Sequence, residues 1–193
     1  MDQAFRQLLS LHLALLLCGG MSSLQANAQT RPVTTAPISY MLSLKQTIAT
    51  LPSGEEISGE FIYTLAAAHA DDTVSGSVTY TLSGEARQEL AALTNQSLSQ
   101  VPIALTQKDV TAEVKPHTDT CAKLLLRPFA LRLLTTEVSF KDVALMVPER
   151  EAPSQLNSAE EIEALFSRWA VQLTTQRARR GIIYHINRLI RGE

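Results

Sequence analysis

His117, Asp119 and Cys121 stand at alternate positions, and on a strand all three would project from one face. An imidazole, a carboxylate and a thiol placed that way are ingredients of a partial metal site or of an activated thiolate. Three groups on neighbouring rungs do not close a coordination sphere, however, and His69 and His185 lie far off in the sequence. The plainer account is a polar turn, Pro116-His117-Thr118-Asp119, leading into a buried Cys121 that behaves as a small hydrophobe. The acidic pairs Glu55-Glu56 and Asp71-Asp72 fall at turn positions, where carboxylates are readily solvated. No Gly-rich phosphate loop, nucleophile elbow or His-Glu-x-x-His segment is present, so no catalytic residue, metal or cofactor is expected.

The basic residues near the C-terminus are more informative. Residues 164–193 carry six arginines against one glutamate, whereas residues 29–163 carry ten basic and seventeen acidic residues. Arginine, unlike lysine, forms bidentate contacts with phosphate and carboxylate. Alongside Ile182, Ile183, Ile186, Leu189 and Ile190 at helical spacing, the segment reads as a basic amphipathic helix. The candidate binding residues are Arg177, Arg179, Arg180, Arg188 and Arg191. Their expected partner is an anionic membrane surface or an acidic protein, set against a plain electrostatic fit of the helix onto its own acidic domain. With a net charge of −2, the chain does not bind nucleic acid by bulk charge.

The elements that must carry this helix read as mainly β. Of the 193 residues, 45% are apolar and 19% charged, a composition that suits a packed fold and not a disordered chain. Apolar residues alternate through Ile38–Leu44, Ile57–Leu65, Val74–Leu82, Ile103–Val114, Cys121–Leu134 (broken at Arg127-Pro128) and Val138–Val147. The expectation is an α+β fold: seven to nine short antiparallel strands in a sandwich or a curved sheet, finished by a long amphipathic helix. Two segments, Ile57–Leu65 and Val74–Leu82, also match each other at a spacing of 17, each with a glycine two residues on from its first apolar position. Two copies are too few for a solenoid, and shared in/out demands on neighbouring strands explain the match. A short helix is expected within 84–98, on Ala86, Leu90 and Leu93. The C-terminal part, 158–193, is one helix or two hinged at Gly181, opened by a Ser158/Glu161 capping box.

Before these come residues 1–28, with a weakly positive start, the apolar run Leu8–Cys18 and the small-residue motif Ala26-Asn27-Ala28, the pattern of a cleaved export signal. The run is too short to span a bilayer as a helix. Lipid attachment at Cys18 is disfavoured because bulky Leu17 precedes it. Residues 29–37 read as an extended lead-in, 38–148 as the β-rich domain and 149–157 as a polar hinge.

The stretch Asp119–Val147 resembles uncharacterised exported bacterial β-rich proteins. In these a cysteine opens a Leu-alternating strand, followed by Pro with a Leu-rich run and then a Val/Leu-alternating strand, here Cys121–Leu126, Pro128–Leu134 and Val138–Val147. The resemblance implies export and a β-rich fold, and it brings no catalytic residue. Together these readings lead to an exported, non-enzymatic binding protein that docks anionic lipid or a partner protein through its Arg-rich helix. The alternatives are a structural or surface-assembly protein and a small hydrolase or metal-dependent enzyme built around His117.

Overall fold

A computed structural model describes residues 37–118, 121–133, 136–149, 157–170 and 175–193. The expected export signal, most of the lead-in, nearly all of the 149–157 hinge and Asp119 lie outside these. Among the described residues, eight strands form one antiparallel sheet: β1 (Met41–Thr50), β2 (Glu56–Ala68), β3 (Thr73–Leu82), β4 (Ala104–Pro116), β5 (Ala122–Leu126), β6 (Phe129–Leu133), β7 (Thr136–Phe140) and β8 (Val143–Met146). Three helices accompany them among the described residues: α1 (Gly84–Thr94), α2 (Ser158–Ala170) and α3 (Gln176–Arg191). The fold is therefore α+β and built on a curved sheet, the second of the two β architectures expected.

The curvature follows from the connections. Strand order is β6-β7-β1-β2-β3-β4-β5-β8, so β5 and β6 stand near opposite ends of the sheet. Only Arg127 and Pro128 join them. Three Cα steps reach at most about 11 Å, whereas six strand spacings across a flat sheet measure about 29 Å. The sheet has to curl until its far strands approach, which gives a half-barrel. Glu113 of β4 holds the crossing in place. Its carboxylate accepts from Arg127 Nε at 2.8 Å and Nη2 at 3.3 Å, and Lys115 Nζ lies 2.8 Å away. Hydrogen bonds from Arg127 and then Lys115 lower the Glu113 carboxyl to about 2. A carboxylate depressed in the folded state stabilises above its unfolded value and stops doing so as pH falls toward the folded one. The melting-temperature gap between the wild type and Glu113→Gln should therefore be open at about pH 5 and close by about pH 2; a gap independent of pH would contradict this.

Bulges let the sheet bend. One extra residue enters β1 between Leu44 and Thr47, another enters β4 opposite Gly76–Val78, and a third enters β2 between Leu65 and Ala67. Each reverses which parity faces inward: Leu42 but Ala49 in β1, Leu105 but Val110 in β4, Leu65 but Ala68 in β2. The carbonyls near two of these breaks are satisfied from inside the barrel. Tyr80 Oη shares its one proton between Thr47 O (3.0 Å) and Ile57 O (3.1 Å), and Tyr63 Oη does the same between Val110 O (3.0 Å) and Val74 O (3.3 Å). Burial pushes the Tyr80 phenol up to about 12 and raises that of Tyr63 as well, so both remain donors across the ordinary pH range. Around them the core is aromatic. Phe140 packs edge-on to Tyr80 and Phe61 and stacks on Phe129 at 4.9 Å.

The helices begin and end on recognisable caps. Ser83 accepts from the Ala86 amide at the start of α1, and Asn95 closes it in the left-handed conformation at φ 53°. At α2 the expected capping box sits one residue earlier than the sequence suggests. Asn157 Oδ1 accepts from the Ala159 and Glu160 amides, and Glu160 accepts from the Asn157 amide. Glu161 is thereby left to bond His185 instead. The long C-terminal helix is two helices, and the expected hinge at Gly181 is absent. Thr175 caps α3 by accepting from the Ala178 amide, and Gly181 lies inside that helix, where an added Cβ would meet open space. A single exposed glycine weakens a helix by about 1 kcal/mol, too little to break one held by packing. Among the described residues, no helix is long and apolar enough to cross a membrane.

Candidate functional site

Helix α3 owes its position to its isoleucines. Ile182 and Ile186 are buried, with Ile183, Leu189 and Ile190 half-buried beside them in the core shared with the sheet. At 100° per residue these five occupy one side of the helix. Asn187 fastens that side to the end of β2, its Oδ1 accepting from the Ala68 amide at 2.8 Å and its Nδ2 donating to the Ala68 carbonyl at 2.9 Å. His185 Nε2 lies 2.7 Å from Glu161 Oε1, which ties α3 to α2.

The same rotation sorts the five candidate arginines. Arg179 lies on the inward side, among the isoleucines. Its Nη1 reaches Asp72 Oδ2 at 2.7 Å and Oδ1 at 3.0 Å, and Trp169 Nε1 of α2 also donates to Asp72 Oδ1 at 2.9 Å. Asp72 sits in the left-handed conformation at φ 61° in the turn between β2 and β3, so this corner is the anchor for both C-terminal helices. Arg179 thus spends its Nη1 on the protein's own Asp72 carboxylate.

Arg177, Arg180, Arg188 and Arg191 face the other way. Together with Tyr184 they follow one another at spacings of three and four, which confines all five to an arc of about 80° over a length of about 21 Å. All five are exposed, and Tyr184, at the centre of the stripe, is 63% exposed. Arg177 and Arg180 make no ion pair among the described residues. Arg188 donates to the Glu193 carbonyl at 2.9 and 3.1 Å, and Arg191 meets the Glu193 carboxylate at 3.3 Å. Solvated contacts of this kind are worth at most about 1 kcal/mol and give way readily to a better partner. Sequence reasoning grouped all five arginines and missed Tyr184. Its place four residues after Arg180 and four before Arg188 was the available signal.

The His117 region is arranged differently from the one-face picture. His117 is exposed just beyond the end of β4, and its amide donates to the Cys121 carbonyl across the turn into β5. The half-buried Cys121 thiol donates to Val147 O at 3.3 Å, and burial, with Glu149 nearby, raises its pKa. Both influences oppose thiolate formation. Among the described residues, no three His, Cys, Asp or Glu side chains gather where they could hold a metal ion.

A second surface lies at the far end of the barrel. Glu55, Glu56, Glu89, Ala92 and Leu93 line a groove of about 490 Å³ between the β1–β2 turn and α1. An adjoining hollow of about 440 Å³ shares Leu93 and continues over Leu51, Pro52 and Leu90. Leu93 is 50% exposed on the ridge between them.

No protein-family model matches this chain, and neither a curated protein nor a solved structure matches it.

Proposed function

We propose that this chain is an exported binding domain that docks an anionic partner through the outer stripe of α3. The observation that carries the reading is the division of labour among its arginines. One faces inward and is used for anchoring, whereas four face outward around an exposed tyrosine, on a helix that the core holds rigid. Surface arginines pre-positioned on a packed element lose little entropy on binding, and a flanked tyrosine adds a flat, amphipathic contact. Export rests on the pattern of residues 1–28.

Deleting the helix is a poor test, because Ile182 and Ile186 belong to the core. Neutralising the outer face leaves the core intact. Arg177→Gln, Arg180→Gln, Arg188→Gln and Arg191→Gln combined should lower affinity for polyglutamate and for phosphatidylglycerol vesicles by at least about tenfold, with the wild-type affinity falling as salt rises. Arg179→Gln should instead lower the melting temperature. Binding that is insensitive to salt and equal in the quadruple variant would defeat the reading.

A further inference from the structure

The docking stripe and the acid-lined groove stand at opposite ends of one strand. Glu56 opens β2 beside the groove, and Ala68, which closes it, is bonded to Asn187 of α3. Twelve residue steps of strand separate them by about 40 Å, so within one molecule they cannot meet. Between molecules they are complementary. Among the described residues, the groove is lined by Glu55, Glu56 and Glu89 with the apolar Ala92 and Leu93, and none of these is basic. The stripe offers Arg180 and Arg188 one turn to either side of Tyr184.

We propose that the partner of the stripe is a second copy of this chain. The Tyr184 ring enters the groove against Leu93 while Arg180 and Arg188 pair with the glutamates on its rim. The proposal rests on the docking reading of α3 and names its occupant. A groove of about 490 Å³ accommodates a tyrosine side chain with room for the flanking guanidinium groups, and a buried aromatic set between arginines is the usual composition of an interface hot spot. A lipid surface fits less well. The apolar side of α3 is turned to the domain, with Ile182 and Ile186 buried and Ile183, Leu189 and Ile190 half-buried, so its outer stripe presents no aliphatic side chain to enter hydrocarbon.

The contacting surfaces differ, so the contact is heterologous. A rotation that does not close carries it on from copy to copy as a head-to-tail chain. The area of one helix stripe places the association among the weak, concentration-dependent ones.

Sedimentation of the purified protein at sub-millimolar concentration tests the proposal with two charge-reversed variants. One carries Glu55→Arg, Glu56→Arg and Glu89→Arg; the other carries Arg180→Glu and Arg188→Glu. All five positions are exposed, and the circular dichroism melts confirm folding before sedimentation. The wild type should grow beyond the monomer and shrink toward it as salt is raised. Each variant alone should be monomeric, and mixing the two should restore assembly, because each then meets the opposite charge on the other. A strictly monomeric wild type, variants that assemble as the wild type does, or a mixture that stays monomeric would each overturn the proposal. If the wild type is monomeric but still binds phosphatidylglycerol vesicles, and the stripe-reversed variant does not, the docking reading stands with a lipid surface as its occupant. Loss of both properties removes both readings.

Discussion

Gly59→Ala should cost about 3 kcal/mol or more, lowering the melting temperature by roughly 6–12 °C for a domain of this size, and Gly76→Ala should do the same. A Cβ on Gly59 would collide with the Thr81 carbonyl oxygen and lie 2.6 Å from Tyr80 Cζ. On Gly76 it would collide with the Thr64 carbonyl oxygen and lie 2.8 Å from Tyr63 Cζ. Neither tyrosine can retreat, since each hydroxyl holds two main-chain carbonyls inside the barrel. Relief would have to come from the backbone of a paired strand, which is the expensive kind. Gly181→Ala is the control. With open space around it on an exposed helix, it should raise stability by about 1 kcal/mol. Calorimetry on the three variants checks the contrast, and unchanged midpoints for Gly59→Ala and Gly76→Ala would refute it.

The reciprocity of these contacts explains the 17-residue match between β2 and β3. In the antiparallel pair, Phe61 faces Tyr80 and Tyr63 faces Val78, so each tyrosine lies diagonally over the glycine of the other strand. The match was visible in the sequence, but its meaning depends on register, which no single strand reveals. Other features were legible in part. The alternation identified the strands, whereas the change of parity from Leu105 to Val110 reads as plain alternation in the sequence and gains its meaning, a bulge in β4, only from the register with β3. The break at Arg127-Pro128 was readable as a strand boundary. That it carries the chain from one end of the sheet to the other was not, because strand order is a long-range property.

The candidate site shows the same limit. Net charge singled out the last helix, and rotation at 100° per residue would already have separated Arg179 from its four neighbours. Asp72, read as a solvated corner, is the acceptor for both Arg179 and Trp169, side chains about a hundred residues away. Capping chemistry also had two adjacent solutions. Asn157 and Ser158 are comparable N-caps followed at the right spacing by Glu160 and Glu161, and the demand of His185 for Glu161 agrees with the choice of the first.

Phe166→Ala should be the most damaging change in the C-terminal helices, at about 3–5 kcal/mol. The ring is fully buried, lies parallel to Trp169 at 5.8 Å and stacks at 6.3 Å on Tyr40, which directly precedes β1. It therefore underlies the contact between the barrel and the Trp169–Asp72–Arg179 anchor, and its loss leaves a cavity beneath the residues that fix α3. Because Phe166, Ile162 and Ile186 share one core with Phe61 and Tyr80, the loss should appear as a single cooperative transition at a lower denaturant midpoint, with amides of α2, α3 and β2 losing protection together. Tyr40→Phe separates the ring from its polar atom. The Tyr40 hydroxyl is buried with no hydrogen-bond partner among the described residues, so removing it should be neutral or slightly stabilising. Faster exchange confined to α2 and α3, with the β2 amides still protected, would instead mean that the stripe rides on a cap able to detach from the barrel. Its arginines would then be presented by a mobile helix, without the fixed spacing on which docking into a groove depends.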